Sequence, residues 1–236
     1  MSFRQHVPLA KAYRLLNHGP TVLVTSAYNG RRNVMAAAWN MALNFEPAQV
    51  AVVIDKSTVT RELVEASGKF ALNVPARWIA SQVLAVGRTS ARELDAKVYE
   101  DKFAAFGLHT FSFNDPESFH RQIDSGRGAT TKAVREHDEE EQRSSRIDLA
   151  MELPHVEGCV AWLECKVIPE PHIQNTYDLF LGEVTAAWAD SRVFSNGHWT
   201  YDANTPSELQ TLHYVAGGTF LAVADSFESE PAKWVS

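Results

Sequence analysis

The chain has 236 residues, 45% of them hydrophobic, and a formal net charge of −7. That length carries one large domain or two small ones around a buried core. An acidic balance with no Lys/Arg-lined stripe excludes bulk binding to nucleic acid or to an anionic membrane. No apolar run approaches the roughly 18 residues of a membrane span, and Met1–Pro20 ("MSFRQHVPLAKAYRLLNHGP") lacks the apolar core of a secretion signal. The two cysteines, Cys159 and Cys165, lie in one strand-like run without a C-x-x-C pair. Strand alternation puts both on one face, and they read as reduced thiols of a cytoplasmic protein.

In chain order, Val7–Leu16 predicts a short helical start and Thr21–Tyr28 ("TVLVTSAY") a first strand. Asn29-Gly30 is a strong hairpin signal, and the chain returns through Asn33–Leu43. A turn at Phe45-Glu46-Pro47 leads into a third strand, Val50–Ile54. A helix over Val59–Ser67 is closed by Gly68. Phe70–Val74 is the fourth strand, ended by Pro75. Helices follow at Trp78–Val86 and Ala91–Phe106, the second opened by a Ser90/Glu93 capping box, and then a short strand at His109–Phe113. Residues 114–156 form a polar insertion whose "REHDEEEQRSSR" reads as a solvated helix or surface loop. Strand signals resume at Gly158–Ile168, Asp178–Ala187, Arg192–Tyr201 and Thr211–Asp225, with a possible turn at Asn196-Gly197. Strands paired through turns, without β-α-β alternation, point to a closed antiparallel barrel with peripheral helices.

Chemistry-bearing motifs are sparse. There is no H-E-x-x-H, no zinc-spaced Cys/His cluster, no G-x-S-x-G, no Walker A loop and no G-x-G-x-x-G. A catalytic metal, a hydrolase triad, a nucleoside triphosphatase and a Rossmann dehydrogenase are therefore disfavoured. Redox chemistry, if present, falls to a bound cofactor. Two local features stand out. Ala36-Ala37-Ala38 interrupts a strand with poor strand formers, which suits either tight helix packing or a flat ring lying on the backbone. "DKSTVTR" (Asp55–Arg61) puts Lys56 and Arg61 at a helix N-terminus, where cations cost roughly 0.3–1 kcal/mol each. Either the start is an ordinary cap with solvated side chains, or an anion sits there and offsets them.

The span Gly19–Pro75 resembles the flavin reductase-like family with the FMN-binding split barrel, its flavoredoxin branch above all. The likeness rests on a valine-rich first strand and Ala37-Ala38-Trp39. It continues through the Glu46-Pro47-Ala48 turn, the Ser/Thr-rich helix start, and Ser67-Gly68, Phe70 and Asn73-Val74-Pro75. "VEGCVAWLECKV" (Val156–Val167) and "LHYVAGGTFLAV", with Tyr214, Gly217 and Gly218, are similar to further family segments. Thr58 and Ala48 depart from the family pattern, which often has an aromatic or basic residue and a second proline there.

The resemblance implies a mainly β fold: one antiparallel split β-barrel domain over 1–236, with helices between strands four and five and an insertion at about 114–156. It implies FMN, its phosphate at Lys56, Ser57, Thr58, Thr60 and Arg61 and its ring along Ala37, Ala38, Trp39 and Asn40. Asp55 and Asn73 would border the ring or ribityl chain, and His213 and Tyr214 the far wall. No catalytic side chain and no metal are expected. The implied activity is hydride transfer from NAD(P)H to FMN, with electrons passed to free flavin, a monooxygenase or another acceptor, in a cytoplasmic homodimer. A flavin-binding carrier without turnover, and a related barrel holding another phosphorylated cofactor, remain open. The insertion is either a lid over the ring or a surface loop.

Overall fold

A computed structural model of the chain describes residues 3–113, 153–223 and 226. The insertion expected at 114–156 therefore lies, for residues 114–152, outside the described residues. Its last two residues, His155–Val156 (β8), pair with Thr110–Phe111 (β7).

The main sheet is antiparallel and eight-stranded. It is built from β1 (Arg4–His6), β2 (Val22–Tyr28), β3 (Arg31–Ala37), β4 (Asn40–Phe45), β5 (Ala48–Val53), β6 (Lys69–Pro75), β9 (Cys159–Ile168) and β10 (Leu179–Asp190). Its hydrogen-bonded path runs β3-β2-β6-β9-β10-β5-β4, and β1 adds to β10. Strands far apart on that path share one core. Val22 and Val24 of β2, Leu72 of β6, Leu163 of β9, Phe180 of β10 and Val50 and Val52 of β5 fall in a single buried cluster. The sheet has curled around its own inner face, and Leu15 and Leu16 plug the cluster.

Alternation sends the next side chains outward. Leu23 of β2 and Val34 of β3 join a second cluster with Val83 and Val86 of α3 (Ala80–Arg88) and with Phe103, Phe111 and Trp162. Helix α3 thus lies against the outer face of β3. Two hairpins flank the barrel, β11 (Phe194–Ser195) with β12 (His198–Trp199) and β13 (Leu212–Ala216) with β14 (Thr219–Ala222). Among the described residues no helix is long and apolar enough to cross a membrane.

Helix α2 (Val59–Ser67) has the expected bounds, with Thr58 as N-cap and Gly68 left-handed at φ 67°. The Asn29-Gly30 turn has both residues at positive φ, as a two-residue hairpin requires. Three expectations fail for visible reasons. Asn33–Leu43 is two strands, because the chain breaks pairing at Ala38-Trp39. There the Asn40 amide donates to Pro20 O at 2.8 Å and ties the break to the start of β2. Ala91–Phe106 is not one helix. Asp95 accepts from Lys97 N and Asp101 caps α4 (Lys102–Ala105) through Ala104 N, so aspartates divert the backbone from a continuous helix. The two cysteines do not share a face. A bulge between Val74 and Pro75 makes Val160 the extra residue of β9, which places Cys159 in the outer cluster and Cys165 in the inner one. Finally, α5 (Pro171–Tyr177) was not foreseen, although Pro171 at its first turn is a recognised helix start.

Candidate functional site

The break between β3 and β4 opens onto a cavity of about 420 Å³. Its floor is Met35–Trp39 with Val53, one wall is Val83, Leu84, Gly87 and Arg88 of α3, and the opposite wall carries Tyr214 and Phe220 of the β13–β14 hairpin. Thr21 and Asp55 complete it. Of the two readings the sequence left open, the alanine run serves close helix packing and leaves open space above the strand. A Cβ built on Gly87 would stand 3.3 Å from Ala36 Cβ, so this pair lets α3 approach the strand. Ala37 and Ala38 then leave a low floor, and Trp39, 76% exposed, stands at its rim.

The hairpin that walls the cavity is fixed by three bonds. Tyr214 N donates to Thr21 Oγ1 at 2.8 Å, Thr21 N to Leu212 O at 2.7 Å, and Arg88 Nη2 to Gly217 O at 3.2 Å. His213 alternates away from the cavity. It packs against His18 with ring centroids 5.5 Å apart, and burial holds both imidazoles below the ordinary histidine range, His18 at about 4. His213 is therefore removed from the wall on which the sequence placed it.

Asp55 joins the cavity to the start of α2. Its Oδ1 accepts from Ser57 N at 2.7 Å and Ser57 Oγ at 2.5 Å, and these bonds lower its pKa from the usual carboxylate value. Thr58 Oγ1 donates to Asp55 O at 2.8 Å and accepts from Arg61 N at 3.2 Å. The helix start is thus a tight turn with a hydroxyl cap. Its remaining first-turn N–H groups lack helical acceptors, as at any helix start. Lys56 is exposed there, its Nζ 3.9 Å from Asp178. Arg92, which sequence reasoning missed, donates to Ser57 O and Glu62 and brings a second cation beside the turn.

Three predicted ligands point elsewhere. Arg61 is 5% exposed and donates to Glu65, Ile54 O, Asp178 and Gln174 O, with its guanidinium over the Phe180 ring. Most of its donors are satisfied inside the protein, and Asp178 is an anion that offsets it. Thr60 is fully buried and accepts from Asn33 Nδ2 at 2.9 Å. Asn73 is fully buried, donates to Leu23 O and accepts from Val156 N, so it pins β2 and β8 to β6 and does not border the cavity. Asn40 holds the strand break, as described. The structure brings together Ala37, Ala38, Trp39, Asp55 and Tyr214 around the cavity and Lys56, Ser57 and Thr58 just beyond it. Among the described residues no group of three or more His, Cys, Asp or Glu is placed to hold a metal ion.

These features fit a flat ligand with an anionic tail: a low apolar floor, aromatic rims, and a hydroxyl-capped helix start with two cations a turn away. Comparison with known proteins gives the family and the fold. The family model for the flavin reductase like domain matches residues 14–214. The Escherichia coli (strain K12) protein YddH is 39% identical over 218 residues, covering 91% of this chain and 92% of that protein. An FMN-binding domain of a flavin reductases-like enzyme from Shewanella baltica OS155 superposes with a TM-score of 0.75 at 41% identity, covering 97% of this chain and 98% of that one. Flavoredoxin of Desulfovibrio vulgaris (Miyazaki F) has the same fold at a TM-score of 0.60 and 20% identity, covering 89% and 90%. The mainly antiparallel split barrel is thus shared with these proteins.

Proposed function

The chain belongs to the flavin reductase-like family, and from that premise we propose that it is an FMN-dependent oxidoreductase using a reduced nicotinamide as hydride donor. One observation carries the reading. The small-residue floor and the capped cationic helix start are joined by a single residue, Asp55, which lines the cavity and binds Ser57. Main-chain groups at Ala37–Trp39 would hold the ring, with Tyr214 and Phe220 on the far side. Lys56, Ser57, Thr58 and Arg92 would hold the phosphate, through charge-assisted bonds about twice as strong as neutral ones. Thr60, Arg61 and Asn73 leave this set because they are buried with internal partners, His213 because it turns from the cavity toward His18, and Asn40 because it ties the strand break.

When bound, FMN supplies reversible two-electron chemistry at its ring. The protein needs no acid or base for hydride arrival. Its floor and rims would hold the ring in place for an incoming nicotinamide, and such orientation is worth up to about 7–11 kcal/mol in well-ordered cases. The apolar side chains of Val53, Val83, Leu84 and Phe220 would limit water there. The electron acceptor, whether free flavin, a monooxygenase or another protein, lies beyond what these side chains specify.

The test is a visible absorption titration. The purified protein is expected to bind FMN, and then to oxidise NADH or NADPH with added free FMN. Binding without nicotinamide turnover would replace the reductase with an electron carrier, and absence of FMN binding would remove the reading altogether.

We propose further that the site is completed by a second copy of the chain. Strand β4 ends the sheet path, and its outward face carries Met41, 55% exposed, in line with Trp39 at the cavity rim; a bulge at Leu43, 46% exposed, then turns Phe45, 60% exposed, to the other side of the strand. An edge strand with exposed apolar side chains invites pairing, and a two-fold contact is the commonest closed solution. Light scattering after size exclusion should give a dimer for the wild-type chain. It should give a monomer with weakened FMN binding for the double variant Met41→Glu/Leu43→Glu. A monomeric wild type would overturn the pairing.

A further inference from the structure

The cavity holds one cation, and it is the side chain for which the proposed binding set has no use. Arg88 closes the last turn of α3 and lines the cavity. Its Nη2 donates to Gly217 O at 3.2 Å, which stretches the guanidinium across the gap between α3 and the β13–β14 hairpin. The fit depends on a missing side chain: a Cβ on Gly218 would stand 3.0 Å from that same Nη2. Among the described residues no carboxylate pairs with Arg88, so its charge meets only a neutral carbonyl. The opposing charge in the lining is Asp55, whose Oδ1 already accepts two bonds from Ser57.

We infer that Arg88 biases the cavity toward the reduced flavin and so raises the reduction potential of the bound cofactor. The inference rests on the FMN reading above and goes beyond it. Uptake of a hydride delivers two electrons and one proton to a neutral ring, which leaves one negative charge on the reduced ring. The hydride donor is a reduced nicotinamide, oxidised in the same step. A fixed cation in a lining that is otherwise apolar at Val83, Leu84, Met35 and Phe220 favours that charged state over the neutral one. The apolar surroundings make the interaction count for more than it would in water. A cation near the ring is one of the few levers by which a protein tunes a flavin. Because Arg88 is anchored to a backbone oxygen, the charge is in place before any ligand arrives.

The experiment measures affinities in both redox states. Dissociation constants for oxidised FMN, and for FMN reduced with dithionite under anaerobic conditions, are obtained for wild type, Arg88→Gln and Arg88→Lys. Thermal melting checks that each variant is folded. Wild type should bind the reduced form more tightly than Arg88→Gln does, the reduced-to-oxidised affinity ratio falling about tenfold in the variant. That is a midpoint potential lower by about 30 mV for a two-electron couple. Arg88→Lys should keep most of the ratio. An unchanged ratio in Arg88→Gln overturns the inference. So does an equal loss in both states that spares riboflavin, which would make Arg88 a phosphate ligand. Wild-type protein that fails to bind oxidised FMN would instead remove the functional reading on which the inference stands.

Discussion

Replacing Arg61 with methionine is expected to lower folding stability by about 3–5 kcal/mol, the usual loss when one partner of a buried ion pair is removed. For a chain of this size that is a fall in Tm of roughly 6–20 °C. The side chain is almost fully buried and satisfies two carboxylates, Glu65 and Asp178, and two carbonyls, Ile54 O and Gln174 O. Its loss leaves Asp178 with Lys56 alone, at 3.9 Å, and uncouples α2 from the C-terminal turn of α5. The contrast lies three residues before the helix. Lys56→Ala should leave Tm within about 1–2 °C, because exposed pairs contribute little, yet weaken FMN binding about tenfold, the scale of one charged hydrogen bond. Differential scanning calorimetry and flavin titration on the two variants separate the roles. An Arg61 variant that melts like wild type but loses FMN would return Arg61 to the phosphate.

The second large effect belongs to Gly87. Gly87→Leu should weaken FMN binding roughly 5- to 150-fold while leaving the fold intact. Gly87 lies on the exposed, cavity-facing side of α3, with Ala36 Cβ 3.3 Å from where its own Cβ would be. Any branched side chain there either fills the space above the floor or pushes the helix off the strand. Overpacking of this kind costs about 1–3 kcal/mol, and each 1.4 kcal/mol is tenfold in affinity. Leu84→Met, which conserves volume on the same wall, should bind FMN within a few-fold of wild type. Retained FMN affinity in Gly87→Leu would show that the ring does not lie on this floor.

Much of the fold was legible because its signals are local. Asn29-Gly30 needs positive φ at both positions, and Thr58 with Gly68 brackets α2 at both ends. The site was legible only in part. "DKSTVTR" reads as one cluster, yet a helix turns each side chain by about 100° from the last. Lys56, Ser57 and Thr58 face outward, while Thr60 and Arg61 turn into the protein to meet Asn33 and Asp178. The partner that claims Arg61 is 117 positions away, and no local pattern announces it. Asn73 fails as a ligand for the same reason, since Leu23 and Val156 are joined to it only by the sheet. Arg88 and Arg92 were missed from the opposite side. They sit near helix ends, where basic residues are ordinary, and only the approach of Gly217 and of Ser57 gives them a place at the cavity and beside the turn.

The single extra residue in β9 has a chemical consequence. By splitting Cys159 and Cys165 between the two cores, it keeps the sulfurs on opposite sides of the sheet, and both are deeply buried and free. Burial pushes both thiols well above their usual range, so neither forms the thiolate through which sulfur reacts. Were the chain to handle reducing equivalents as proposed, it would meet peroxide whenever electrons strayed to oxygen. Here no cysteine stands ready to be sulfenylated or to cross-link two molecules.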